Sequence, residues 1–164
     1  MLNSRKNVLW LAKVFSKVHN ANEYLLILGE GPDKNEILQI NDSHIKVYGF
    51  VDNPAAYFNI SDVYTSASLS EGFSLSVLEA FSSGNYLLLS DIPSHREVIE
   101  LCNSVYVGNL FCNGNADSFC SSLTDLREKI ASRKGELLLK ASDDLFSAKK
   151  MAKEYESVYL HLLC

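Results

Sequence analysis

The sequence predicts an α/β fold, a doubly wound parallel sheet with helices on both faces, and three observations carry that expectation. Short apolar runs such as Tyr24–Leu28, Ile45–Gly49 and Tyr86–Ser90 alternate with stretches of 3.6-residue apolar spacing. The joins between them are strand-to-helix turns built on glycine, proline and acidic residues, such as Gly29-Glu30-Gly31-Pro32 and Asp91-Ile92-Pro93. At 164 residues, with 47% hydrophobic and 21% charged residues, the chain suits one globular domain spanning residues 1–164 with a sizeable core.

Each element follows from its local pattern. Asn7 to Val18 is a helix, because Val8, Leu11, Ala12, Phe15 and Val18 share one face with Lys13 and Lys17 opposite. Tyr24–Leu28 is a buried strand, and the Gly29–Pro32 turn opens a helix near Asp33 with Ile37 and Ile40 inward. Ile45–Gly49 is the next strand, and Phe50–Pro54 leads to a short helix through Phe58. Asp62–Ser66 is a strand that feeds the loop Ser66–Ser74. In the helix that follows, Ser74 or Ser76 can cap the start, Ser76 with Glu79 has capping-box spacing, and Gly84-Asn85 stops it. Tyr86–Leu89 reads as a strand covered on both faces. A helix over about Ser94–Leu101 and a last strand at Val105–Val107 come next. Helices at about Ala116–Ala131, Lys134–Phe146 and Ser147–Leu163 complete the chain. In such sheets ligands bind beyond the carboxyl ends of the strands, and the fold would bring the loops 29–32, 49–54 and 66–74 to one edge.

Bulk properties exclude several function classes. A net charge of −5 gives no electrostatic reason to expect nucleic acid. No apolar run reaches a bilayer-spanning length, and the N-terminus lacks a signal peptide's apolar core, so a cytoplasmic chain without a transmembrane segment is expected. The four cysteines form no C-x-x-C pair and the four histidines are scattered singly, so neither a metal site nor a disulfide framework is expected. His95 and Arg96 offer an anion contact, but a solvated loop tip is the favoured reading of both.

The stretch with the most chemical content is Ser70–Asp91. A helix N-terminus presents unpaired N–H groups and partial positive charge, and Gly72 lets backbone approach a ligand closely. Glu71 lies just before that helix and Glu79 within it, eight residues apart. Ionised carboxylates accept hydrogen bonds and suit hydroxyl-rich partners. A diphosphate with a sugar at one end and a ribose at the other satisfies all three features. A capping-box Glu79 and a solvated loop Glu71 are the bland alternative.

Glu71-Gly72-Phe73-Ser74-Leu75-x-x-x-Glu79-Ala80 resembles the Glu-x7-Glu signature of retaining, nucleotide-sugar-dependent glycosyltransferases of the GT-B fold, in their C-terminal, donor-binding half. The resemblance extends over nearly the whole chain. Gly29-Glu30-Gly31-Pro32 resembles the family's G-x-G-P turn near the nucleotide, and Val47-Tyr48-Gly49-Phe50-Val51 its element beside the nucleobase. Asp91-Ile92-Pro93 with Glu97-Val98-Ile99 resembles the segment that closes the donor pocket, and residues 147–155 the terminal helix. Lys6 falls on the family's diphosphate-binding lysine, whereas Met1 stands where its arginine should be, and the family's first strand has no counterpart here. In a sheet of order 3-2-1-4-5-6 that first strand is central, so its absence leaves a gap.

The resemblance implies a set of roles. Lys6 and Glu71 would serve catalysis, Lys6 at the diphosphate and Glu71 at the sugar hydroxyls. The backbone of Phe73, Ser74, Leu75 and Ser76 would hold sugar and phosphate oxygens, and Glu79 the ribose. Gly29, Gly31, Gly49, Phe50 and Gly72 complete the donor-binding set. The expected ligand is a nucleotide-diphosphate sugar acting as substrate, with no further cofactor and no metal. The expected partner is an N-terminal acceptor domain or another chain, without which the chain is expected to be inactive; the expected location is cytoplasmic, with membrane-peripheral the alternative for the complete enzyme. A noncatalytic nucleotide- or phosphate-binding module on the same scaffold, and an interaction fragment that binds no small molecule, remain the alternatives.

Overall fold

A computed structural model describes residues 1–102, 105–131 and 135–162. Thirteen elements lie among these residues: α1 (Val8–Val18), β1 (Leu25–Leu28), α2 (Lys34–Gln39), β2 (Ile45–Gly49), α3 (Pro54–Ile60), β3 (Val63–Ser66), α4 (Leu75–Ser82), β4 (Tyr86–Ser90), α5 (Pro93–Leu101), β5 (Gly108–Phe111), α6 (Ala116–Ala131), α7 (Gly135–Phe146) and α8 (Ala148–Leu162). The expected start of a helix at Lys134 and its neighbour's end at Leu163 lie outside the described residues. No described helix is long and apolar enough to cross a membrane.

All strand pairs are parallel, and the strands form two sheets, β1-β2 and β3-β4-β5. β1 and β3 are not paired with each other. The segment that precedes α1 ties their ends together instead: the Leu2 N–H donates to the Glu30 carbonyl just past β1, and the Leu69 N–H just past β3 donates to the Arg5 carbonyl. The two sheets nevertheless share one hydrophobic core that includes Leu11, Phe15 and Ile27 on one side and Leu87, Leu88 and Leu89 on the other.

β4 is buried at all five positions, as its unbroken apolar run requires of a strand with neighbours on both edges. α4 and α6 both pack on it. α1 joins the two halves, because Trp10 stacks on Phe111 of β5 at 5.9 Å and meets Phe119 of α6 edge-on at 6.1 Å. Arg127 of α6 donates to the Val18 carbonyl at the end of α1 and to the Glu23 carboxylate.

α4 ends as its sequence predicts. Gly84 has φ +82°, its N–H donates to the Phe81 carbonyl, and the Asn85 N–H donates to Ala80, which together make a Schellman stop. The start of α4 differs from expectation. Ser74 is the N-cap but its hydroxyl caps nothing, and Ser76 lies inside the first turn with its Oγ 2.9 Å from the Tyr64 hydroxyl. Ser76 thus lies two residues past the N-cap, inside the helix, so no capping box with Glu79 forms. The last strand is also shifted: β5 is Gly108–Phe111, not Val105–Val107. Val105 belongs to the turn after α5, donating its N–H to Cys102. The ladder begins at Gly108, where a Cβ would fall 1.8 Å from the Leu87 carbonyl oxygen, so glycine permits the close approach that apolar patterning alone assigns to the residues before it.

Candidate functional site

Residues 65 positions apart meet at the carboxyl ends of the strands. The Lys6 ammonium donates to Glu71 Oε1 at 2.5 Å, and the Ser68 hydroxyl donates to the same oxygen at 2.7 Å. Lys6 is placed by the segment before α1, and Glu71 by the loop between β3 and α4. The Leu69-to-Arg5 bond knits these two segments together. The Glu71 side chain is 8% exposed. Burial pushes its carboxyl up, but hydrogen bonds from Lys6 and Ser68 and the charges of Lys6 and Arg5 outweigh burial and hold it below the ordinary carboxylate value. Both bonds land on Oε1, and Oε2 takes none among the described residues.

α4 starts four residues later. The Val77 and Leu78 N–H groups return to the Ser74 carbonyl, while the N–H groups of Phe73, Ser74, Leu75 and Ser76 find no acceptor among the described residues. This is an open helix start with partial positive charge beside a lysine. Gly72 lies between Glu71 and this helix, and a Cβ added there meets no atom within 4 Å. The fold therefore does not require glycine at position 72. Glu79 is exposed on α4. Burial raises the Tyr64 hydroxyl, the bond to Ser76 opposes it, and the charges of Glu71 and Glu79 raise it further. Both carboxylates therefore act on one phenol beneath the helix start.

The glycine loops differ in what they do. Gly31 is required by packing, since a Cβ would sit 2.1 Å from the Leu2 carbonyl oxygen. Gly49 has φ +73°, and its Cβ would meet the Glu30 carboxylate, which Lys34 holds at 2.7 Å. The Gly29 N–H donates to the Gly49 carbonyl, so these two loops adjoin each other. The Leu2-to-Glu30 bond then links them to the segment carrying Lys6. Phe50, Phe73 and Leu75 expose most of their side chains at this edge.

Sequence reasoning misassigned His95. It is no solvated loop tip: the residue is 0% exposed, in the first turn of α5. Its Nδ1 lies 2.9 Å from the Ser90 carbonyl, which accepts only, so Nδ1 carries the proton and donates. Ser90 Oγ donates to the Ser68 carbonyl at 2.7 Å. Arg96, by contrast, is half exposed and paired with Asp91 at 2.7 Å. The overlooked set is thus Ser68, Ser90 and His95 behind Glu71. The available signal was serine at the carboxyl ends of β3 and β4, where an apolar strand turns polar.

With this geometry in hand, comparison with known proteins identifies the lineage. The glycosyl transferases group 1 family profile matches residues 1–129. The chain is 28% identical to the O-antigen biosynthesis glycosyltransferase WclY of Escherichia coli over 170 residues, which cover 98% of this chain and 45% of WclY. It therefore spans less than half the length of the curated relatives it matches. Among solved structures it resembles a glycosyltransferase from Rickettsia africae, with a TM-score of 0.80 and 20% identity over 98% of this chain and 45% of that one. It also resembles the pneumococcal O-GlcNAc transferase GtfA in complex with UDP and GlcNAc, with a TM-score of 0.77 and 18% identity over 98% of this chain and 34% of that one. The architecture is that of one Rossmann-like half of a GT-B fold. From the matched profile over most of its length, the chain belongs to the glycosyl transferases group 1 family.

Proposed function

We propose that residues 1–164 form the donor-binding domain of a retaining glycosyltransferase that moves a sugar from a nucleotide-diphosphate sugar to an acceptor such as a growing glycan. The observation that carries this reading is the Lys6–Glu71 pair at 2.5 Å beside the open start of α4. A cation, a run of unpaired N–H groups and a carboxylate with one free oxygen together match a diphosphate joined to a sugar. GtfA, with UDP bound, offers a precedent on the same fold.

The proposed roles follow from the groups. An ammonium has three hydrogens, so Lys6 can keep Glu71 and still reach a phosphate oxygen. When the bond between the anomeric carbon and the diphosphate oxygen breaks, the electron pair leaves with the diphosphate. Lys6 and the N–H groups of residues 73–76 stabilise that developing charge as an oxyanion hole does. Glu71 Oε2 accepts from the sugar hydroxyls and fixes the ring. Glu79 accepts from the ribose, and Gly72 leaves room for the ligand to pass between the two carboxylates. The Gly29–Gly31 and Gly49–Phe50 loops flank the base. The acceptor hydroxyl requires a second domain or chain to hold it within about 3–3.5 Å of the anomeric carbon, so this domain alone binds donor without turnover.

Calorimetric titration of the chain with UDP-glucose, UDP-N-acetylglucosamine and GDP-mannose, each beside its free nucleoside diphosphate, tests the reading. Tighter binding of one intact nucleotide-sugar than of its nucleotide supports it. Binding of nucleotide without any gain from the sugar favours a noncatalytic nucleotide module, and flat titrations throughout refute both.

A further inference from the structure

Outside the proposed ligand contacts, the most unusual buried feature is the polar node behind Glu71. Ser66, Ser68, Ser90 and His95 are all buried, at 8% exposure or less, in a region otherwise packed with leucine and phenylalanine. Their bonds run in one direction. His95 Nδ1–H donates to the Ser90 carbonyl and lies 3.2 Å from Ser90 Oγ. Ser90 Oγ donates to the Ser68 carbonyl, to which Asn113 Nδ2 also donates at 3.3 Å. Ser66 Oγ donates to Ser68 Oγ at 3.2 Å, and Ser68 Oγ–H is aimed at Glu71 Oε1. The chain thus links the first turn of α5, the ends of β4 and β3, and the loop carrying Glu71.

The imidazole brings a cost that packing alone does not explain. Among the described residues, buried His95 Nε2 has no hydrogen-bond partner, and neither has Asn113 Oδ1. An unpaired buried acceptor is unfavourable, and an apolar residue in the same space would avoid it. The arrangement makes sense if the ring is kept for Nδ1 and for what Nδ1 organises. With Nδ1–H facing Ser90, Ser90 Oγ is free to point its own hydrogen at the Ser68 carbonyl. The Ser68 backbone is then held in place, and its hydroxyl, which accepts from Ser66 Oγ, donates to Glu71.

We propose that His95 is a positioning residue for Glu71: acting through Ser90 and Ser68, it holds the β3–α4 loop so that the carboxylate presents Oε2 to the donor sugar. Its ligand role rests on the donor-binding reading above, while its structural link to Glu71 does not. Burial pushes the His95 ring below its ordinary value and keeps it neutral, with the Ser90 carbonyl and Glu71 opposing and Lys6 adding to that push, and the Ser90 carbonyl then places its one proton on Nδ1.

Two readouts test it. The first needs no ligand: the Glu71 carboxyl is followed by carbon NMR through an acid titration in the wild type, in His95→Leu and in His95→Asn, whose amide can replace Nδ1–H. His95→Leu should move the Glu71 titration upward, and His95→Asn should return it toward the wild-type position. Ser90→Ala cuts the Ser90–Ser68 link with a smaller change and should also move it upward, which keeps the test open if His95→Leu does not fold. An unmoved Glu71 titration in the folded variants overturns the proposal. The second readout uses whichever of UDP-glucose, UDP-N-acetylglucosamine and GDP-mannose the wild type binds best, against its free nucleotide. His95→Leu should weaken the nucleotide-sugar about tenfold and the free nucleotide less than about twofold, the loss of roughly one oriented hydrogen bond at the sugar end. Equal weakening of both ligands, or His95→Asn as damaged as His95→Leu, overturns it. A wild type that binds no nucleotide-sugar overturns the donor reading, and the Glu71 titration then still decides the positioning link.

Discussion

Replacing Lys6 by methionine keeps the apolar stem and removes the ammonium that donates to Glu71. In the folded chain that carboxylate is 8% exposed and takes its two bonds, from Lys6 at 2.5 Å and Ser68 at 2.7 Å, on one oxygen. Without Lys6, a largely buried carboxylate keeps the Ser68 hydroxyl and the more distant charge of Arg5. A hydrogen bond to a charged group contributes about 1.5–3 kcal/mol. Lys6 is 28% exposed, so water shares its role, and the lower part of that range, about 1.5–2 kcal/mol, is expected at neutral pH. The sign of the pH dependence follows from the direction of the shift. Glu71 titrates below its ordinary value of 4.5 in the folded chain, so its contribution is fully present above that value and disappears as pH falls through the lower, folded-state pKa. Wild type and Lys6→Met should therefore differ most at pH 7 and converge on acidification. Urea unfolding followed by circular dichroism, repeated from pH 7 down through the carboxylate range, measures this. Equal stability at pH 7, or a gap that persists unchanged once Glu71 is protonated, would refute the reasoning.

Three further substitutions separate fold from function. Gly72→Ala should leave the unfolding midpoint unchanged, since the added Cβ meets nothing within 4 Å, while weakening nucleotide-sugar binding severalfold by calorimetry; unchanged binding would remove Gly72 from the site. Gly31→Ala should destabilise the chain by about 2–3 kcal/mol or more, because a Cβ 2.1 Å from the Leu2 carbonyl forces backbone to move; a thermal melt like the wild type's would contradict this. Glu79→Ala should alter stability by less than about 0.5 kcal/mol, as expected for an exposed residue without a cap bond, yet abolish any preference for a ribonucleotide over its 2′-deoxy analogue. A preference that survives would exclude the ribose role.

Much of the fold was legible because its signals are local. An unbroken apolar run such as Tyr86–Leu89 admits few settings other than a central parallel strand, and Gly84-Asn85 spells out a helix stop whose hydrogen bonds form as written. Where the reading slipped, a tertiary contact had overruled a local preference. Ser76 has capping-box spacing to Glu79, but the N-cap falls at Ser74, which puts Ser76 in the first turn with its hydroxyl against Tyr64, twelve residues earlier. Val105–Val107 has better strand composition than Gly108–Phe111, but only glycine lets the chain pass within reach of the Leu87 carbonyl. The site divides the same way. Lys6 and Glu71 could be named from the motifs they carry, yet nothing local predicts that they meet. His95 sits in a polar stretch, Ser94-His95-Arg96-Glu97, that reads as surface, and only the turn of α5 onto the end of β4 buries the ring while leaving Arg96 outside.

The division of the strands into two sheets has a consequence for how the molecule breathes. β4 is paired on both edges and buried at all five positions, whereas among the described residues β1 and β2 each pair with a single strand and β2 is buried only at Gly49. Local opening should then cost less in the β1–β2 pair than in the three-stranded sheet, so the amides of Leu25–Leu28 should exchange with deuterium ahead of those of Leu87–Leu89. The Gly29 and Gly49 loops hang from the softer pair and Glu71 from the firmer one. The two ends of an elongated ligand would therefore rest on ground of unequal stiffness, with one end able to adjust while the other stays fixed.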